Sequence, residues 1–127
     1  MTNYKKKLEK VRTFIFDVDG VMTDGIVVLS MEGEMLRSMN VKDGYAIQLA
    51  ARKGYRIAII SGGNSEAVRL RFDLLGVKDI FLGVGHKIRV FEEFVAKNNI
   101  DPDTILYMGD DIPDYQVMQR VGVAACP

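Results

Sequence analysis

A chain of 127 residues, 48% apolar and 27% charged, suits one domain with one core and needs no staple to fold. Its 17 Lys and Arg balance 17 Asp and Glu, so no overall field draws it to nucleic acid or to an anionic membrane surface. A lone cysteine, Cys126, excludes an internal disulfide framework, and no apolar run reaches the length of about 18 residues that a membrane span needs; a cytoplasmic protein is expected.

Along the chain, the basic run Lys5-Lys6-Lys7 reads as a solvated first turn. Residues 11–16 form an apolar run that ends at Asp17, the pattern of a buried strand. Residues 26–30 and 34–39 read as two strands joined by a turn at Met31-Glu32-Gly33. A helix is expected over 43–53, with Ala46, Ile47, Leu49 and Ala50 as its apolar stripe and Gly54 as its stop. A second strand over 55–60 is followed by a helix over 64–75, capped by Asn64 or Ser65, with Val68, Phe72 and Leu75 on one face. A short third strand at 79–82 leads to a helix over 86–98 that turns Ile88, Phe91, Phe94 and Val95 inward. After the Asp101-Pro102-Asp103 turn come a strand at 104–108, a helix at 112–121 and a last strand at 123–125.

Short strands alternating with helices imply an α/β fold, with a parallel sheet covered by helices on both faces. Right-handed crossovers bring every strand's C-terminal end to one edge, where ligands bind at the point of reversal in strand order. Three strand ends carry unusual polar residues. The first runs into Asp17-Val18-Asp19-Gly20, two carboxylates that are costly beside a buried strand unless a metal or substrate uses them. The fourth ends in Gly109-Asp110-Asp111, with Asp114 three residues on. A helix N-cap accounts for Asp111 and leaves Asp110 unexplained. Two acidic clusters on one sheet edge repel each other without a cation, and Mg²⁺ with oxygen ligands relieves that repulsion. The second strand ends in Ser61-Gly62-Gly63, which suits either an anion site at a helix N-terminus or an ordinary turn. Lys87 follows the third strand; taken alone, it reads as a surface lysine.

The order Asp-x-Asp, Ser, Lys, Gly-Asp-Asp-x-x-Asp, each at a strand end, resembles the haloacid dehalogenase superfamily of phosphatases across nearly the whole chain. Asp17-Val18-Asp19-Gly20-Val21-Met22-Thr23-Asp24-Gly25, Asn40-Val41-Lys42-Asp43-Gly44-Tyr45 and Val68-Arg69-Leu70-Arg71-Phe72 are similar to its capless subfamily, which dephosphorylates eight- and nine-carbon sugar acids. The resemblance implies a Rossmannoid three-layer sandwich over residues 1–127, with a small β-hairpin flap and no large cap domain. It also implies a family tail that is missing after Pro127.

The resemblance implies the following roles. Asp17 is the nucleophile that forms an aspartyl-phosphate, and Asp19 is the general acid and base, touching metal only through its backbone carbonyl. Asp110 is the second carboxylate ligand of Mg²⁺, while Asp111 and Asp114 orient metal waters or Lys87. Ser61 and Lys87 hold the phosphoryl group, with Gly62 and Gly63 beside it. Arg71, and more weakly Lys42, take the sugar-acid carboxylate. The expected substrate is the eight-carbon acid phosphate of lipopolysaccharide precursor synthesis, and the alternative is a nine-carbon sialic-type acid phosphate. Gly63 departs from the glutamate or arginine that other members carry, which leaves room in the pocket. Val27, Val28, Leu29, Met31, Met35 and Met39 give the hairpin apolar side chains to bury in the homotetramer of similar enzymes. A phosphoacceptor receiver domain is the non-enzyme alternative, but its acceptor aspartate ends the third strand, where this chain has Phe81-Leu82-Gly83.

Overall fold

A computed structural model describes residues 3–127. In chain order its elements are α1 (Tyr4–Glu9), β1 (Thr13–Phe16), β2 (Val28–Leu29), β3 (Met35–Leu36), α2 (Val41–Arg52), β4 (Arg56–Ile60), α3 (Glu66–Leu74), β5 (Asp79–Phe81), α4 (Lys87–Lys97), β6 (Ile105–Met108), α5 (Tyr115–Met118) and β7 (Val123–Ala125). Five strands form a parallel sheet in the order β5-β4-β1-β6-β7, and β2 and β3 pair apart from it as an antiparallel hairpin. This is the α/β sandwich with a hairpin flap that the strand and helix pattern implied.

Alternation along the central strands sorts the core into two halves. Ile57 and Ile59 of β4 pack with Ile47 of α2 and with Val68 and Phe72 of α3. Ile15 of β1, together with Ala58 and Ile60 of β4, packs on the other face with Phe91 and Phe94 of α4 and Val117 of α5. Each half removes several large side chains from water, at about 1.5–3 kcal/mol apiece, so the sheet edge they support is firmly held.

Helix starts follow local capping. The Asn40 side chain accepts from the backbone N–H groups of Lys42 (2.7 Å) and Asp43 (3.3 Å), so α2 begins at Val41, ahead of the start expected at residue 43. Ser65, rather than Asn64, caps α3.

Two expectations are corrected. The helix expected at 112–121 is a 3-10 turn, Ile112–Asp114, followed by a single α turn, because Asp114 points inward at its start. The hairpin strands are two residues each: Ser30 and Glu34 close the turn end, where the Ser30 hydroxyl oxygen and backbone N–H both bond to the Glu34 backbone, and past Leu36 the pairing ends where Arg37 reaches to Asp19.

From β1 the chain crosses to β4 and on to β5, then returns past β1 to β6 and β7. The order therefore reverses at β1, and the crevice lies at the C-terminal ends of β1, β4 and β6.

Candidate active site

β1 and β6 lie side by side in register, Phe16 against Met108, so the segments that follow them leave the sheet together. Asp17 is the first residue past β1 and is buried. Its Oδ1 accepts from the Val18 N–H at 2.7 Å and lies 3.1 Å from the Lys87 Nζ. Burial holds the Asp17 carboxyl above the usual carboxylate range, against the opposing pull of Lys87 and the Val18 N–H. The chain then turns at Gly20, whose φ of +83° favours glycine. A Cβ there would collide with the Asp110 carboxylate, so the glycine lets the two acidic loops meet.

Lys87 is buried at the start of α4 and bridges Asp17 and Asp114, with its Nζ 2.8 Å from Asp114 Oδ1. Asp114 is completely buried. Its Oδ1 also accepts from the Tyr107 hydroxyl, and its Oδ2 accepts from the backbone N–H groups of Asp110 (3.2 Å) and Asp111 (3.3 Å). A carboxylate has about four lone-pair sites, and these four donors fill them. Burial, then the bond to Asp114, pushes the Tyr107 hydroxyl well above the usual phenol range, so it remains a donor.

Asp17, Asp110 and Asp114 each offer an oxygen within 4.8 Å of the others, an all-oxygen donor set that suits a hard divalent cation. Asp114 is fully engaged, so the donors that fit such an ion are Asp17 and Asp110; Asp114 sets the Asp110 loop and Lys87 in place. Asp111 caps the 3-10 turn by accepting from the Ile112 N–H at 2.7 Å.

Asp17, Lys87, Asp110 and Asp111 line one hollow of about 440 Å³, together with Asp19, Ser61, Gly62 and Gly63. Ser61 is buried, and its Oγ accepts from the Gly63 N–H at 3.2 Å. The hollow brings together Asp17, Asp19, Ser61, Gly62, Gly63, Lys87, Asp110 and Asp111, with Asp114 buried behind. Lys42 and Arg71 do not line it: Lys42 is exposed on the first turn of α2, and Arg71 faces a neighbouring groove with Met39 and Val41.

Two residues escaped the sequence reading. Arg37, just after β3, grips both oxygens of Asp19, with Nε 2.6 Å from Oδ1 and Nη2 3.1 Å from Oδ2. By the two-residue strand period it falls in line with Met35 and Met39, so a cation in an otherwise apolar row was a usable signal. Tyr107 follows the period of the core strand β6, and a hydropathy pattern does not show what its hydroxyl meets.

No protein-family profile matches the chain. It is 37% identical over 123 residues to 3-deoxy-D-manno-octulosonate 8-phosphate phosphatase KdsC of Salmonella typhi, covering 97% of this chain and 65% of that protein. The chain thus spans just under two thirds of that relative's length. The 3-deoxy-D-manno-octulosonate 8-phosphate phosphatase of Moraxella catarrhalis, solved in complex with magnesium ion, phosphate ion and KDO, superposes with a TM-score of 0.87 at 31% identity, over 92% of this chain and 67% of that one. A putative HAD superfamily (subfamily III A) hydrolase of Legionella pneumophila matches with a TM-score of 0.88 at 32% identity, over 96% of this chain and 70% of that one. With the sheet order, the paired acidic loops and these relatives in agreement, the chain belongs to the haloacid dehalogenase superfamily.

Proposed function

We propose that this chain is a Mg²⁺-dependent phosphomonoester hydrolase that works through an aspartyl-phosphate and converts 3-deoxy-D-manno-octulosonate 8-phosphate (KDO 8-phosphate) to KDO and phosphate. One observation carries the reading: carboxylates from two distant segments, Asp17 and Asp110, meet beside a buried lysine in a hollow of about 440 Å³ at the sheet edge. The names of the relatives supply the substrate.

In this reading an Asp17 oxygen attacks phosphorus as the bond to the sugar oxygen breaks, and Asp19 gives that oxygen its proton. Asp19 then takes a proton from water as the water oxygen attacks phosphorus, which releases phosphate and restores the Asp17 carboxylate. Lys87 and the Ser61 hydroxyl hold the phosphoryl oxygens throughout, the positioning and electrostatic work on which phosphoryl transfer chiefly depends. Asp17 and Asp110, with the Asp19 backbone carbonyl, would hold Mg²⁺, which when bound neutralises charge on these carboxylates and on the phosphoryl group. A cytoplasmic enzyme with one thiol, Cys126, fits this role.

The hairpin leaves Leu29 72% and Met31 100% exposed, with Val28 and Met35 also open. Such a patch is a self-association surface, and a homotetramer with hairpins beside neighbouring active sites is the assembly proposed. Phosphate release from KDO 8-phosphate, with Mg²⁺ and with chelator, tests the activity: release only with Mg²⁺ is expected, and none in either condition removes the reading.

A further inference from the structure

Asp19 has two tasks in the proposed reaction: its side chain handles the proton, and its backbone carbonyl would hold the ion. The side chain is gripped by Arg37. The carbonyl belongs to the peptide that joins Asp19 to Gly20, and that peptide is held from its other end by Thr23. Thr23 is a buried residue whose hydroxyl the reaction does not use. Its Oγ accepts from the Gly20 N–H at 3.3 Å and from the Gly25 N–H at 3.2 Å. Its own backbone is tied back to the strand end, where the Val18 carbonyl, next to Asp17, accepts from the N–H groups of Val21 (3.2 Å), Met22 (2.8 Å) and Thr23 (3.1 Å).

A trans peptide is planar, with its N–H and C=O on opposite sides, and among the described residues no peptide is cis. An N–H fixed toward Thr23 therefore turns the Asp19 carbonyl away from Thr23. The Asp110 carboxylate occupies the room that a Cβ on Gly20 would take, so this peptide borders the place where Asp17 and Asp110 meet. Gly20 and Gly25 both line the hollow, and glycine backbone rotates more freely than any other, so the peptide needs an anchor to keep one direction. From this geometry we infer that Thr23 is a positioning residue that aims the Asp19 carbonyl at the divalent cation. The inference rests on the phosphatase reading, in which that carbonyl is a ligand. It separates the two tasks of Asp19: Arg37 holds the side chain, and Thr23 holds the peptide.

The test measures Mg²⁺ affinity by titration calorimetry for the parent chain, Thr23→Val and Thr23→Ser, with a thermal melt of each in the absence of Mg²⁺. Valine keeps the branched shape and removes the oxygen; serine keeps the oxygen. Thr23→Val should bind Mg²⁺ about tenfold or more weakly, the usual cost of deleting a group that orients a metal ligand. Thr23→Ser should recover most of that loss. A merely structural hydroxyl would lower the Tm of Thr23→Val and leave its Mg²⁺ affinity at the parent value, and that result overturns the inference. NMR of the parent chain supplies a check that does not depend on a variant folding. The Gly20 amide should be protected from exchange, and the Asp19 carbonyl-carbon resonance should move as Mg²⁺ is added. An unprotected amide, or a carbonyl unmoved at saturating Mg²⁺, also overturns it. A parent chain that binds no Mg²⁺ strikes instead at the phosphatase reading.

Discussion

On the sheet side of the hollow, Lys87, Asp114 and Tyr107 are buried, and Asp114 accepts from four donors. On the hairpin side, Leu29 and Met31 stand in the open, and the Arg37–Asp19 pair ties the flap to the site. The first region carries fixed charges in a packed frame, where small changes are costly. The second offers adaptable contacts that a substrate or another subunit can complete. The nucleophile Asp17 thus sits in the rigid frame, and Asp19 is tied to the flap.

The largest effect should come from the rigid side. Asp17→Asn should lower turnover by about 10⁴-fold or more with the fold retained, since it removes the nucleophile itself; phosphate release together with circular dichroism checks both halves. Next, Lys87→Met should destabilise the chain by about 3–5 kcal/mol, because it strands the buried Asp114 and Asp17 carboxylates. Denaturant unfolding reads this, and a loss within 0.5 kcal/mol, roughly the scale of an ordinary surface change, would mean the network is not held as described.

A smaller effect is expected from Tyr107→Phe, which deletes one of the four donors to Asp114. It should cost about 1–2 kcal/mol of stability. It should also weaken Mg²⁺ binding, read as a smaller rise of Tm with added Mg²⁺, because Asp114 positions the Asp110 backbone.

The fold was legible because its signals are local or periodic. The apolar runs of β1, β4 and β6 and the stripes of α3 and α4 follow from alternation and from the helical repeat, and the acidic pairs stood out because they end those runs. What stayed hidden depends on contacts across the chain. The resemblance implies that Asp114 orients metal waters or Lys87, but its saturation by Lys87, Tyr107 and two backbone N–H groups appears only when β6 and α4 are packed. Arg37 was passed over because its partner, Asp19, lies on another segment. The helix expected at 112–121 was overread because its apolar spacing says nothing of the inward turn of Asp114.

The pH dependence of stability sharpens the same contrast. Asp17 holds its proton more tightly when folded than at its ordinary value of 3.8, so the folded chain binds more protons than the unfolded chain above that pH. Its contribution therefore falls as pH rises from about 3.8 through the raised folded value, in the absence of Mg²⁺. Asp17→Asn should flatten that slope, as tracked by Tm against pH. The smallest effect on folding belongs to the flap: Leu29→Ser with Met31→Ser should change monomer stability by no more than about 0.5 kcal/mol, as these side chains are already in water. The same pair should shift light scattering from the proposed tetramer to smaller species, and an unchanged mass would remove the hairpin from the proposed assembly.

The central claim is that Asp17 carries the phosphoryl group between two half-reactions. Acid quenching during turnover of KDO 8-phosphate, followed by mass spectrometry of the peptide that contains Asp17, reads this directly. A phosphoryl group on Asp17 that disappears in Asp17→Asn is the expected result. Steady release of phosphate by the parent chain with Asp17 never labelled would contradict it.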